Sequence, residues 1–281
     1  MPALSEERAE AKPETPVANA QPCPEAYIAL GHRLAEAARA VIRPLFRSRV
    51  TVDEKADLSP VTVADREAEA ALRKLIAADF PDHGVVGEEH GSDRPDAEFV
   101  WVLDPVDGTK RFITANPLFG TLIALLHEGR PILGIIDMPM LSERWVGASG
   151  QATRRHTADG VIEAQVRACP GLTEATLMAS SPHMFGADFD CFERVREASK
   201  MPLYGGDCYN YGLLADGFTD LIVEATMGPH DYLPLVPVVT GAGGVMTDWR
   251  GEPLGLNSDG RVIAAGDSRV QQEALSLLQA H

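Results

Sequence analysis

Apolar residues near the start of the chain recur at helical spacing. Between residues 26 and 46 they lie three and four positions apart, which predicts an amphipathic helix that ends before Arg47. The same kind of spacing from Val63 to Phe80 predicts a second helix, which Pro81 ends. Residues 1–24 have no such period and are rich in alanine, proline and glutamate, so they are predicted to form a disordered tail.

The period changes to that of β-strands in the middle of the chain. Four short β-rich runs between residues 99 and 149 predict an antiparallel sheet: FVWVLD, GTLIALLHEG, RPILGIIDMP and RWVGAS. Beyond about residue 160, strand-like and helix-like runs alternate, which predicts a second system of α/β layers. The ordered chain is therefore predicted to divide into an N-terminal α+β region, residues 25–160, and a C-terminal α/β region, residues 161–281.

The net charge and the cysteines indicate which binding partners and which cellular compartment to expect. The chain has 41 acidic and 25 basic residues and a formal charge of -16, which opposes binding to nucleic acid or to anionic membranes. The 4 cysteines lie far apart without a CxxC pair, so neither a zinc knuckle nor a disulfide framework is expected. No run of 18 apolar residues and no signal peptide is visible, and we expect a cytoplasmic protein.

The segment DPVDGT, residues 104–109, follows the apolar run FVWVL and carries two aspartates three positions apart. Two carboxylates brought together raise each other's pKa unless a cation lies between them. A hard divalent ion such as Mg²⁺ prefers such oxygen ligands, and the Val106 carbonyl is available as a further one. The alternative is an aspartate-rich turn in which Asp104 and Asp107 only cap a helix.

The same segment also offers groups for a phosphate. Gly108 and Thr109 open a short helical run, TKRFI, and backbone N–H groups at a helix start donate readily to phosphate oxygens. This one hexapeptide therefore offers oxygen ligands for a metal ion and N–H donors for a phosphate.

Other acidic residues stand at the ends of predicted elements. Glu88 follows the apolar run GVVG, and Glu224 ends a strand-like run. Asp231 precedes an apolar helix-like stretch, and Asp65 lies near the start of the second helix. Three of these have a simpler interpretation: Glu88 as an exposed acidic turn, Asp231 as a helix cap, and Asp65 as a charge that interacts favourably with the helix dipole.

Taken together, GEE, DPVDGT and a late GPHD before GAGG resemble the inositol monophosphatase family of magnesium-dependent phosphatases. The resemblance spans about residue 26 to the C-terminus and is closest to the histidinol-phosphate phosphatase branch. Four segments carry this closer likeness: RFITANPLFGTLIAL (111–125), SSPHMF (180–185), YGGDCYNYGLLADG (204–217) and GAGGVMTDWRG (241–251). The fold implied is a mixed α and β protein, the layered αβαβα sandwich of the sugar phosphatases, assembled as a homodimer.

The resemblance also implies roles for individual residues. The ligands of two or three Mg²⁺ ions would be Glu88, Asp104, the Val106 carbonyl, Asp107 and Asp231. The substrate would contact Val106, Asp107, Gly108, Thr109, Glu224 and Asp231, with the phosphate on Gly108 and Thr109 and the alcohol portion facing Glu224. Catalysis would depend on Asp65, Glu88 and Thr109, of which Asp65 and Thr109 hold the attacking water.

The chemistry expected is in-line hydrolysis of a small phosphorylated metabolite by water, without a histidine or cysteine nucleophile. Histidinol phosphate carries an amine and an imidazole, so acidic groups outside the metal cluster should recognise it, and Asp207 and Glu224 fit. Asp207 has the alternative role of a helix cap.

Several alternatives stay open at this point. Inositol 1-phosphate is one, because Glu224 would also accept hydrogen bonds from hydroxyl groups. Fructose 1,6-bisphosphate and 3′-phosphoadenosine 5′-phosphate need a second anion pocket, and only Lys110 and Arg111 stand close to the motif. An inactive phosphatase-fold binding protein is the alternative outside enzymes.

The sequence departs from the family pattern at two places. Pro237, downstream of Asp231 and of the tolerable Pro234, lacks the N–H that an interior helical position uses. Leu203 stands where the histidinol-phosphate branch offers an arginine to the substrate.

Overall fold

The computed structural model describes residues 22–48, 52–54 and 60–280, so the predicted disordered tail lies outside the described residues up to position 21. The α-helices are α1 (Glu25–Leu45), α2 (Val63–Asp79), α3 (Thr109–Ile113), α4 (Phe189–Ala198), α5 (Tyr209–Ala215), α6 (Pro229–Tyr232), α7 (Leu235–Gly241) and α8 (Ser268–Leu278). The strands are β1 (Val52–Glu54), β2 (Pro60–Thr62), β3 (Gly84–Gly87), β4 (Gly91–Asp93), β5 (Phe99–Asp107), β6 (Gly120–His127), β7 (Arg130–Met138), β8 (Glu143–Ala148), β9 (Arg154–Thr157), β10 (Gly160–Glu163), β11 (Thr176–Ala179), β12 (Met201–Tyr204), β13 (Leu221–Glu224), β14 (Val245–Thr247) and β15 (Val262–Ala265).

The two helices predicted from apolar spacing are present. Helix α1 ends at Leu45, before Arg47, and α2 ends at Asp79, before Pro81. Helix α2 begins where Thr62 caps it, since the Thr62 hydroxyl accepts the Ala64 N–H at 3.1 Å. Both helices bury their apolar faces against one face of the large sheet.

The large sheet has eight strands in the order β10-β9-β8-β7-β6-β5-β3-β4. The four predicted runs form β5, β6, β7 and β8, which pair antiparallel in chain order, as predicted. Strand β3 adds to the free edge of β5 and runs parallel to it. This parallel pairing brings the carboxyl ends of β3 and β5 to the same edge of the sheet.

Neighbouring residues of the central strands are buried on opposite faces of this sheet. Trp101 and Ile123 pack in the core under α1 and α2. Val102 and Leu122 pack in a second core, together with α5, α7 and the five-stranded sheet. Because both faces are covered, these strands are almost continuously apolar rather than alternating.

The second sheet has five strands in the order β12-β11-β13-β15-β14, and α4 and α8 cover its outer face. The layers are therefore α, β, α, β, α, the arrangement expected from the sequence. Strands β12 and β14 were not predicted; both are short, with 4 and 3 residues. The division of the chain at residue 160 stays a prediction.

The expectation that Pro237 disturbs a helix interior is wrong. The stretch around and after Asp231 folds as two helices, α6, which contains Asp231, and α7, with Pro234 at the N-cap of α7. Pro237 is then the third residue of α7. A residue with an N–H at this position would find no acceptor within the helix, so proline is tolerated there.

None of the helices in the described part of the chain is both long enough and apolar enough to cross a membrane.

Candidate active site

Three aspartates from distant parts of the chain converge at one edge of the large sheet. Asp104 and Asp107 lie near the end of β5 and Asp231 lies in α6, and one carboxylate oxygen of each is within 4.8 Å of the other two. Glu88 follows β3 and donates its N–H to the Leu103 carbonyl at 3.2 Å, which places it beside Asp104. The four acidic residues predicted as metal ligands therefore lie together.

A bulge in β5 turns Asp104 and Asp107 to the same side. In a regular strand, residues three positions apart point to opposite faces. Here Asp104 pairs with Leu122 and Asp107 with Gly120, so three steps along β5 correspond to two along β6. The extra residue reverses the alternation. Two hydrogen bonds hold the bulge: the Thr121 hydroxyl donates to the Pro105 carbonyl at 2.7 Å, and the Val106 N–H donates to Asp104 Oδ1 at 3.0 Å.

Burial dominates the electrostatics of the cluster. Burial raises the pKa of Asp104 well above its ordinary value, and the charges of Glu88, Asp107 and Asp231 add to this effect. Burial likewise raises the pKa of Asp107, with further contributions from Asp207 and Asp231. A set of buried and half-buried carboxylates with raised pKa values suits a hard divalent cation, which neutralises the like charges. The residues present therefore fit Mg²⁺.

Asp231 combines a place in this cluster with a role in its own helix. Its carboxylate accepts the N–H of Gly228, the N-cap residue of α6, at 2.7 Å, and so satisfies one of the free donors at the start of that helix. Burial raises the pKa of Asp231, whereas His230, whose Nε2 lies 3.5 Å from Asp231 Oδ1, lowers it.

Asp65 and Thr109, the predicted water-holding pair, are in contact. The Thr109 hydroxyl lies 3.4 Å from Asp65 Oδ1 and 3.2 Å from the Val106 carbonyl oxygen. Asp65 in turn accepts the Thr62 N–H at 2.9 Å and so caps α2 as well. Gly108 has a left-handed backbone with φ of 82°, which lets the chain leave the bulge and enter α3 directly.

A cavity of about 160 Å³ adjoins the cluster. Asp107, Gly108 and Asp231 contribute to its lining, as do Asp207 and Glu224. All the residues predicted to contact substrate or metal through a side chain therefore lie in or beside one region of the molecule.

Glu224 is held by two residues that sequence reasoning missed. Its carboxylate accepts the Ser180 N–H at 2.9 Å and the Tyr211 hydroxyl proton at 2.9 Å, and the Ser180 hydroxyl also donates to it. Burial raises the pKa of Glu224 from its ordinary value of 4.5 to about 7. Ser180 and Tyr211 fall in two of the segments that carry the family likeness, and this was the only signal that pointed to them.

Asp207 reaches the cavity from a strained turn. It has a φ of 49° and follows two glycines, Gly205 and Gly206, that also have positive φ. Its carboxylate pairs with Arg111, so the alternative that its side chain caps α5 is wrong. The next residue, Cys208, donates its N–H to Asp107 Oδ2 at 2.9 Å, which ties this turn to the cluster.

Comparison with known proteins gives a consistent result. The model of the inositol monophosphatase family matches residues 24–281. The chain is 46% identical to the bifunctional phosphatase IMPL2, chloroplastic, of Arabidopsis thaliana, over 91% of this chain and 75% of that protein. It is 33% identical to a histidinol-phosphatase of Chlorobaculum parvum, over 86% of this chain and 92% of that protein. A solved inositol monophosphatase from Zymomonas mobilis superposes with a TM-score of 0.83 at 47% identity, over 91% of this chain and 98% of that chain.

Proposed function

Because the chain belongs to the inositol monophosphatase family, whose members are metal-dependent phosphatases, we propose that it hydrolyses L-histidinol phosphate to L-histidinol and phosphate. It is a phosphoric monoester hydrolase that acts on small phosphorylated substrates. The choice among those substrates is the proposal.

One observation carries the proposal. The cavity beside the aspartate cluster is lined by two further carboxylates: Glu224, and Asp207, whose Oδ2 pairs with Arg111 and whose Oδ1 would accept from a substrate donor. Histidinol phosphate has an ammonium group and an imidazole where inositol phosphate has only hydroxyl groups. Acidic side chains are charge-assisted acceptors for those nitrogen donors. The likeness to histidinol-phosphatases supports the same choice.

The residues of the cluster would share the chemistry as follows. Glu88, Asp104, Asp107, Asp231 and the Val106 carbonyl would hold two or three Mg²⁺ ions, which when bound polarise the phosphoryl oxygens and lower the pKa of a water. Gly108 and Thr109 would donate backbone N–H groups to the phosphate at the start of α3. The Thr109 hydroxyl, held by Asp65, would orient the attacking water for in-line displacement.

On the alcohol side, Glu224 would bind the substrate from a fixed position. Glu224 Oε1 accepts both the N–H and the hydroxyl proton of Ser180, whereas Oε2 accepts the Tyr211 hydroxyl proton and keeps a lone pair for a substrate donor. A cationic substrate would also favour the ionised form of Glu224, because an opposite charge lowers the pKa of a buried carboxyl group.

Inositol 1-phosphate is the second candidate, favoured by the likeness to the Zymomonas mobilis inositol monophosphatase. Bisphosphate substrates rank lower, since Arg111, one of the two basic residues near the motif, is paired with Asp207. The homodimer and the cytoplasmic location stay predictions.

The test is a comparison of kcat/KM values with Mg²⁺ for L-histidinol phosphate, inositol 1-phosphate, fructose 1,6-bisphosphate and 3′-phosphoadenosine 5′-phosphate. We expect L-histidinol phosphate to be preferred by about tenfold or more. Asp207→Asn should lower kcat/KM for histidinol phosphate by about 10- to 100-fold, since a charged hydrogen bond contributes roughly 1.5–3 kcal/mol, and should affect inositol 1-phosphate much less.

Asp159→Asn is the matched control, because Asp159 lies exposed in the turn between β9 and β10. A tenfold preference for inositol 1-phosphate would overturn the substrate assignment and leave the phosphatase assignment in place.

A further inference from the structure

Glu69 is a fully buried carboxylate that none of the chemistry above uses. It lies on α2, one helical turn after Asp65, and its side chain is inaccessible to solvent. Its oxygens accept the Glu89 N–H at 2.7 Å and the His90 N–H at 3.2 Å. Arg73 donates Nε to the same carboxylate at 2.7 Å. A buried charge of this kind is retained only where it is paired and hydrogen-bonded.

The two N–H groups belong to the turn that carries Glu88. Strands β3 and β4 form a hairpin whose last register pair is Gly87 and Gly91, so the residues between them make no ladder hydrogen bonds with each other. The carboxylate of Glu69 supplies acceptors for the two residues that follow Glu88. Arg73 also donates to the Gly91 carbonyl, so both ends of the turn are tied to α2.

The absence of a side chain at Gly87 allows the Glu69 carboxylate to lie against the Glu88 turn. A Cβ atom at position 87 would lie 2.0 Å from Glu69 Oε1, closer than any side chain tolerates. The hydrogen bonds between Glu69 and the turn therefore require a glycine immediately before Glu88.

We propose that Glu69 is a positioning residue for the metal site: its carboxylate holds the Glu88 turn so that Glu88 lies beside Asp104 before a metal ion binds. Asp65 and Glu69 are four residues apart and so lie on one face of α2. The same helix then fixes both the contact to Thr109 and the turn that carries Glu88. The inference rests on the proposed role of Glu88 as a metal ligand.

The test measures Mg²⁺ binding to the metal-free full-length chain by calorimetry. Glu69→Gln keeps the shape of the side chain, but an NH₂ group replaces one of the two oxygens, so either the Glu89 N–H or the His90 N–H loses its acceptor. We expect the Kd for Mg²⁺ to rise about 10- to 100-fold, the usual effect of removing a group that orients a metal ligand. At saturating Mg²⁺, kcat should return to within about threefold of the wild-type value, because Glu69 does not touch the substrate.

Glu67→Gln is the matched control, with the same change of charge at an exposed position of the same helix. A Glu69→Gln variant that loses thermal stability but binds Mg²⁺ with wild-type affinity would show a purely structural role and overturn the inference. Glu88→Gln distinguishes failure of the proposed metal role of Glu88 from failure of the positioning role of Glu69. If it leaves the Kd unchanged, the metal role of Glu88 fails; if it weakens binding and Glu69→Gln does not, only the positioning role fails.

A measurement on the wild-type chain covers the case in which Glu69→Gln does not fold. Residue-resolved hydrogen exchange without Mg²⁺ should show the Glu89 and His90 amides protected at least tenfold over an open loop. Exchange of these amides at the rate of an open loop would overturn the inference.

Discussion

Single carboxylates in this protein serve a helix and the site at once. Asp65 caps α2 through the Thr62 N–H and also contacts Thr109. Asp231 caps α6 through the Gly228 N–H and also joins the aspartate cluster. From the sequence, stabilising a helix start and serving the site are competing interpretations of both residues. In the structure, the hydrogen bond at the helix start fixes one carboxylate oxygen and thereby positions the other.

Glu224 shows how a residue's surroundings set its charge. Its partners come from two elements, Ser180 after β11 and Tyr211 on α5, and the nearby charge of Asp207 adds to the effect of burial in raising its pKa. With a pKa of about 7, the Glu224 carboxyl group is half ionised near neutrality.

A pH dependence of stability follows, with a definite sign. Because the folded pKa of Glu224 lies above its ordinary value, the folded state binds more protons, and its stability falls as pH rises from about 4.5 to about 7. The variant Glu224→Gln cannot ionise at this position, so its stability does not fall for this reason as pH rises. Relative to the wild type, the free energy of unfolding of the metal-free variant should therefore increase across that window, by up to roughly 3 kcal/mol at about 1.4 kcal/mol per pKa unit.

Urea denaturation at several pH values between 4.5 and 8 measures this difference. Parallel stability curves for the wild type and Glu224→Gln would contradict the prediction.

At the scale of elements, a pair of glycines sets the distance between α7 and the large sheet. Gly134 on β7 and Gly147 on β8 are register partners. A Cβ atom would lie 2.0 Å from the Pro234 carbonyl oxygen at the first position and 2.2 Å from the Pro237 carbonyl oxygen at the second. Since α7 follows directly on α6, this contact also supports the helix that carries Asp231.

Gly147→Ala should therefore force α7 away from the sheet. We expect a loss of about 1–3 kcal/mol in the free energy of unfolding, as for other overpacked sites, together with weaker Mg²⁺ binding. Gly255→Ala is the matched control, because a Cβ atom there meets nothing within 4 Å. Urea denaturation and Mg²⁺ titration measure the two effects, and a Gly147→Ala variant with wild-type stability would show that α7 is free to move.

Periodicity predicted most elements but not how they pack. The long helices α1 and α2 and the strands β5 to β8 follow from apolar spacing, glycine and proline. The short strand β12 and the break between α6 and α7 do not, because pairing and packing override weak local preference in segments this short.

At the scale of the whole molecule, the aspartate cluster couples folding to the metal. Like charges from β5 and α6, with Glu88 after β3, lie together at buried and half-buried positions in a chain that already carries a formal charge of -16. Without a cation this arrangement opposes folding, and a bound cation reverses the effect.

Asp107→Asn should separate function from stability. The variant removes a buried charge but keeps an oxygen for the Cys208 N–H, so the metal-free protein should be at least as stable as the wild type. Phosphate release should be abolished. Mg²⁺ at 100 times its Kd should stabilise the wild type by about 2.7 kcal/mol and the variant far less. Thermal unfolding with EDTA and with Mg²⁺ measures both effects, and equal stabilisation of the two proteins by Mg²⁺ would contradict the role of Asp107.

The long helices, the antiparallel strands, the acidic segments and, through their combination, the family could all be predicted from the order of residues. Three features depend on the folded chain: the bulge that turns Asp104 and Asp107 to one side, the pairing of Arg111 with Asp207, and the hydrogen bonds from the Glu88 turn to Glu69. The physical reason is the range of the interactions. Local spacing reports on neighbours along the chain, whereas these contacts depend on strand order, register and the packing of layers.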